Sequence, residues 1–328
     1  MQHHRKSLNA RARAVAIAVP MLVLALTACH RDGGAASVAT GAAATTPKTA
    51  ADPAFEQMQQ TWRDERRADL TKPDGWTSLI GLLWIDAGPH YFGSNPDNGI
   101  RVAKGPAHFG MLDLKNGAVR LVPDRSAGLT LDGKPVTQAT VLKTDADETG
   151  PSVIGFDDGK GLATVIKRGD RYALRVKHAD AETRTKFVGL EYWPADSDWR
   201  AEGKFVPHPA GKSIQIANII GMLEPIPNPG AVEFEHDGKP YRLEALDEGD
   251  GELSLIFADR TSGHESYGAG RYIAAAKPDA NGRVVVDFNQ AYNPPCAFTP
   301  FATCPLPPPE NRLDLAVTAG EKKYAGGH

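Results

Sequence analysis

Arg271, Asp287, Asn289, Asn293, Asn311 and Glu321 are the side chains through which this sequence could do chemistry. Asparagine and aspartate supply paired donors and acceptors, and arginine supplies a planar fork suited to an anion. In Val284-Val285-Val286-Asp287-Phe288-Asn289, strand alternation sends Val284, Val286 and Phe288 to one side. Asp287 and Asn289 are then presented together on the other. With Tyr267 or Tyr292 as an aromatic wall, the six residues could line a pocket for a polar ligand such as a sugar, a peptide or a carboxylate. Alternatively, Asp287 or Glu321 could act as general acid or base while Arg271 steadies a developing anion, which would make the chain a hydrolase. The plainest alternative is structural: the six satisfy loop backbone groups and one another, and the protein has no ligand. Alanine at Asp287 or Asn289 would then lower stability without changing any binding. These residues alone leave open whether the chain is an enzyme.

Cys296 and Cys304 flank a short loop rich in proline, from Pro294 to Pro309. In an oxidising compartment an even pair is expected to bridge, and closing so short a loop would stabilise by about 2 to 3 kcal/mol on the chain-entropy model. Two thiols without nearby histidines fall short of a four-ligand zinc site, so no metal and no cofactor is expected. A catalytic thiol would need a base, and no flanking residue offers one.

Other signals lead nowhere. His264-Glu265 lacks the second histidine of a zinc-protease helix, and Gly263-His264-Glu265-Ser266-Tyr267-Gly268 has the wrong spacing for a nucleophile elbow. No phosphate-cradling glycine loop and no dinucleotide fingerprint is present.

Several short motifs carry a resemblance. Gly75-Trp76, Gly81-Leu82-Leu83-Trp84, Gly268-Ala269-Gly270-Arg271-Tyr272, Asp287-Phe288-Asn289, Asn293-Pro294-Pro295-Cys296, Cys304-Pro305 and Ala319-Gly320-Glu321 together resemble the family catalogued as domain of unknown function 1684. That resemblance implies kinship over nearly all of the chain after residue 52 and brings no activity with it. Phe92-Gly93-Ser94, Asn98-Gly99-Ile100 and Leu131-Asp132-Gly133-Lys134-Pro135-Val136 resemble forkhead-associated domains, β-sandwiches that bind phosphothreonine peptides. Ser94 stands where that family has an arginine, and only His108 answers its Ser-x-x-His pair. Without a guanidinium fork, phosphopeptide binding is not expected.

The elements that must position these residues are mostly strands. Turn signals come at short spacing and glycine (33) and proline (25) are abundant, so the chain is expected to be mainly β. About 275 residues follow the N-terminal segment, enough for two β-rich units with real cores. A composition shift near Ala179 to Pro194 divides a sandwich-like N-terminal unit, 75–184, from an antiparallel C-terminal unit, 185–328. Val232 and Phe234 are expected to pair with Tyr241 and Leu243 across Asp237-Gly238. Asp132-Gly133 and Asn281-Gly282 supply two further hairpin turns, and Tyr172, Leu174 and Val176 share one strand face. The run Leu79 to Ile85 is buried as strand or helix. Ahead of it, 53–74 holds an amphipathic helix from Pro53 to Leu70, with Phe55, Met58, Trp62 and Leu70 inward and Arg63 to Arg67 in water.

The first 28 residues read as a secretory address. Arg5, Lys6, Arg11 and Arg13 form a basic region before an apolar run from Ala14 to Leu26. The run is shorter than the roughly 20 residues a membrane span needs, and Pro20 interrupts it. Leu26-Thr27-Ala28-Cys29 is similar to a bacterial lipobox, which implies lipid on Cys29. His30, in place of the aspartate that retains such proteins at the inner membrane, implies the outer membrane, facing the periplasm. Residues 29–52 then read as a flexible tether. Net charge is -3, and removing the four basic residues of the address leaves -7, a poor match to nucleic acid.

Overall fold

In the computed structural model, which describes residues 52–249 and 251–327, the chain opens with a helix, Pro53–Leu70. Asp52 caps it by accepting the Ala54 N–H at 3.0 Å, and Pro53 fills the first turn, where a missing N–H is harmless. Of the apolar face expected, Leu70 is buried and Phe55 and Trp62 are partly buried, but Met58 is 43 % exposed. Gln59 is fully buried and Arg63 and Arg66 are partly buried, so the helix docks through polar side chains as well as apolar ones, because the surface it meets offers acceptors. The lipobox, Cys29 and nearly all of the tether lie outside the described residues.

Leu79–Ile85 is a strand, entered through a single helical turn at Trp76–Ser78. It pairs with Arg171–His178 at the edge of a six-stranded antiparallel sheet that continues through Gly161–Arg168, Val153–Phe156, Thr130–Leu131 and Lys134–Pro135. Facing it is a five-stranded sheet of Ile100–Arg101, Gly88–Gly93, Gly110–Lys115, Ala118–Pro123 and Thr140–Leu142. Phe92, Leu112, Leu121, Ile154, Val165, Leu174 and Val176 fill the space between them, so this part of the chain is a β-sandwich. Within the six-stranded sheet, Gly161 lies opposite Phe156, whose ring would fall 2.0 Å from a Cβ there.

The C-terminal part is also antiparallel. A four-stranded sheet runs in the order Lys239–Ala245, Gly230–His236, Arg200–Pro207, Arg283–Asp287, beside two ribbons, Ser213–Ala217 with Leu223–Pro227 and Leu253–Phe257 with Arg271–Ala275. Val232 lies opposite Leu243 and Phe234 opposite Tyr241, in the register expected, with Asp237 and Gly238 both at positive φ as a tight primed turn requires. Asn281-Gly282 turns the chain but forms no hairpin. The strands on either side of it, Arg271–Ala275 and Arg283–Asp287, belong to different sheets. Phe288 sits at the hub of this core, its ring 5.4 to 5.9 Å from those of Trp199, Phe234 and Phe257. All described residues fall within one compact unit.

Candidate anion-binding site

The six side chains singled out by residue type are all buried, and they form three separate groups. Arg271 begins its strand with its guanidinium against Asp259 at 3.0 Å, both side chains 1 % exposed. It also donates to the carbonyls of Val317, at 2.9 Å, Ala319 and Glu321. Trp193 and Phe257 lie about its planar face, 5.1 and 5.3 Å from their ring centres. Arg271 thus staples residues 317–321 to the core. Asp259, its partner, reads in the sequence only as part of a turn after a strand.

Asp287 and Asn289 do lie side by side. One Asp287 oxygen accepts from the N–H and side-chain amide of Asn289, at 3.0 and 2.9 Å, and the other accepts from Gln59 of the helix at 2.8 Å. Asn289 meanwhile exchanges two hydrogen bonds with the backbone of Asp196. Glu321 accepts from Arg66 Nε at 3.0 Å, from the Tyr192 hydroxyl and from the Asn293 N–H at 2.8 Å, while the Asn293 amide donates to the Lys322 carbonyl. Asn311 is apart from both, with three hydrogen bonds to the backbones of Glu244 and Ile256.

Gln59 and Arg66 are seven residues apart on one helix, about 10 Å along its axis. Asp287 and Glu321 are held by these two residues at separate stations. Neither faces open space as a general acid or base would.

Cys296 and Cys304 are free, buried thiols, and the bridge expected between them is not formed. The Cys296 N–H donates to Cys304 Sγ at 3.1 Å, and Tyr267 donates its hydroxyl to the Cys296 carbonyl at 3.0 Å. The neighbouring Cys296 thiol, then burial, pushes Cys304 far above the ordinary thiol range, so it is held neutral. Among the described residues no cluster of His, Cys, Asp and Glu could hold a metal ion.

Chemistry instead converges on a cavity of about 340 Å³ that contains none of the six. Arg66 reaches it from the helix, and Arg168 and Arg175 reach it from the neighbouring strands Gly161–Arg168 and Arg171–His178. Strand alternation explains the last two. Tyr172, Leu174 and Val176 enter the sandwich, so Arg171, Ala173, Arg175 and Lys177 take the other face, and Arg168 joins them by pairing with Arg171. Trp76, Tyr272, Tyr292, Pro295 and Pro305 supply apolar walls.

Two of the three arginines are balanced. Arg66 is paired with Glu321 and lies over the Tyr292 ring at 4.6 Å; Arg168 is paired with Asp145 at 2.7 Å and donates to Thr303 at 3.1 Å. Arg175 makes no ion pair and no hydrogen bond among the described residues, although Asp145 acts on it from a distance, and its Nε is buried without a partner. Its guanidinium sits 5.4 Å from the ring centre of Trp76. Burial, then the like charge of Arg168, pulls it below its ordinary range. An anion in the cavity could meet this half-buried cation, which makes no ion pair of its own.

Two larger hollows, of about 460 and 560 Å³, lie against Tyr91, Asn98 and His108 and over the sheet face at Lys204, Glu233 and Arg242. Some of the polar groups in and around them are already engaged. Ser94 donates to the carbonyls of Gly105 and Pro106, His108 meets Asn98 at 3.2 Å, and Arg242 pairs with Glu233 at 2.7 Å.

Fold and site together define a mainly β protein whose helix and two sheet systems enclose a basic, aromatic-walled cavity. Residues 185–322 match the family described as "Protein of unknown function (DUF1684)", which supports that family for this chain. The cavity draws on both sides of that boundary, since Arg66, Trp76, Arg168 and Arg175 precede the matched segment. The solution NMR structure of an uncharacterized protein of Haloarcula marismortui is 34 % identical, covering 42 % of this chain and 78 % of that one, with a TM-score of 0.36. No curated protein matches the chain.

Proposed function

We propose that this chain is a lipid-anchored protein of the bacterial envelope, facing the periplasm from the outer membrane, that binds a small anionic molecule between the helix and its two sheet systems. The observation that carries the binding reading is Arg175, a guanidinium that lines a cavity and makes no ion pair among the described residues. Ligand pockets favour such junctions between structural units. The N-terminal sandwich, in which the Phe92-Gly93-Ser94 pattern supports a likeness to forkhead-associated domains, serves as the frame that presents Arg168 and Arg175. Thermal unfolding tests this reading. Millimolar carboxylates and phosphates should raise the melting temperature of the parent protein and leave Arg175→Met unmoved. Without ligand, Arg175→Met should melt at least as high as the parent, because a desolvated charge has been replaced by an apolar chain of similar length. Equal ligand shifts in both proteins would remove the site from consideration.

The anchor rests on Leu26-Thr27-Ala28-Cys29 and the basic and apolar segments before it. Cys29→Ser should abolish incorporation of labelled fatty acid. In the same compartment Cys296 and Cys304 are suited to bridge, since the Cys296 N–H already touches the Cys304 sulfur. Exchange with a disulfide oxidant would carry off two protons and two electrons. Peptide mapping of the exported Cys29→Ser protein should therefore recover 296 and 304 linked. Labelling that survives the substitution would refute the anchor.

A further inference from the structure

The cavity's charges and walls narrow what it can take, an inference that rests on its being an anion site. Three guanidiniums would suit a phosphate if all were free, and they are not. Glu321 already pairs with Arg66 and Asp145 with Arg168, leaving Arg175 as the one of the three guanidiniums without an ion pair. A single guanidinium fork matches a single carboxylate, through two parallel hydrogen bonds from its terminal nitrogens.

Two of the hydroxyls in the remaining wall are already engaged. The Tyr272 hydroxyl is committed to the Pro305 carbonyl, and the Thr303 hydroxyl already accepts from Arg168. Beside Glu248 and Cys304, the wall offers aromatic and proline surface, above all Trp76, Tyr272, Pro295 and Pro305. The volume, about 340 Å³, is that of about eleven water molecules at roughly 30 Å³ each. We propose that the ligand is a monocarboxylate with a flat, apolar body of about ten non-hydrogen atoms, its carboxylate on Arg175 and its body against Trp76 and Tyr272.

Isothermal titration of the exported chain carrying Cys29→Ser separates the possibilities, with 3-phenylpropionate as the probe. Acetate, 3-phenylpropionamide, 3-phenylpropylamine and phenyl phosphate serve as comparisons. Phenylpropionate is expected to bind at least tenfold more tightly than each of the four. Arg175→Met should weaken it tenfold or more, and Arg175→Lys, which keeps charge but loses the fork, should fall between. Phenyl phosphate binding more tightly, and still requiring Arg175, would overturn the carboxylate assignment while leaving an anion site standing. Acetate binding as well as phenylpropionate would overturn the apolar body. If no anion binds, or if binding ignores Arg175→Met, both the ligand class and the anion site fail together.

Discussion

Arg271→Met is expected to lower the free energy of unfolding by about 3 to 5 kcal/mol, the usual effect of removing one member of a fully buried ion pair. The loss comes less from the missing attraction than from what stays behind. Asp259 would remain as a carboxylate in a site where both partners are 1 % exposed, and the carbonyls of Val317, Ala319 and Glu321 would lose their donor. Urea unfolding should show a large fall in midpoint with little change in slope. Replacing both members, with Asp259→Leu beside Arg271→Met, should recover part of the loss, since no unpaired charge then remains. A single-variant loss below about 1 kcal/mol would contradict the role of Arg271 as a staple.

Asn311→Ala is expected to cost about 2 to 4 kcal/mol through a different mechanism. Asn311 is fully buried, and its amide satisfies one N–H and two carbonyls of Glu244 and Ile256. Alanine leaves three backbone groups without partners in an interior that water does not reach, and each such group is expensive. Asn311→Asp should also destabilise, since a carboxylate can still accept from the Glu244 N–H but faces two carbonyl oxygens. Neither substitution touches the cavity, so any anion affinity measured on the folded variants should match the parent. Loss of affinity without loss of stability would place Asn311 in a site rather than in a framework.

The hairpin joining Gly230–His236 to Lys239–Ala245 could be read directly, because alternating apolar residues and an Asp-Gly turn are both local signals. Val284, Val286 and Phe288 were legible in the same way, all three buried as alternation requires. The helix was legible as a helix, through the spacing of Phe55, Trp62 and Leu70, all at least partly buried, but the polar residues it also turns inward were not. Gln59 and Arg66 turn inward only because Asp287 and Glu321 await them, more than two hundred residues later in the chain. Apolar periodicity carries no trace of such a contact.

The cavity was hidden for a related reason. A row of Arg171, Arg175 and Lys177 behind an apolar face ordinarily marks the solvated side of a sheet. Here that side is half covered, with Ile166 and Ala173 buried on it, and only the tertiary structure shows that Arg175 lines a partly open cavity. Tyr292, expected as an aromatic wall, does line a cavity, in the company of other arginines than Arg271. The buried polar residues nearest in sequence to one another, Asp287 through Glu321, are those whose partners are already in place.

The most direct measurement is a crystal structure of the chain with 3-(4-bromophenyl)propionate, in which anomalous scattering locates the bromine without ambiguity. The carboxylate should lie about 2.8 Å from the terminal nitrogens of Arg175, the usual length for a charge-assisted bond, with the bromine toward Tyr272 and Pro305. Bromine density in the hollow beside Tyr91 and His108, or an Arg175 cavity left empty at saturating ligand, would contradict the assignment.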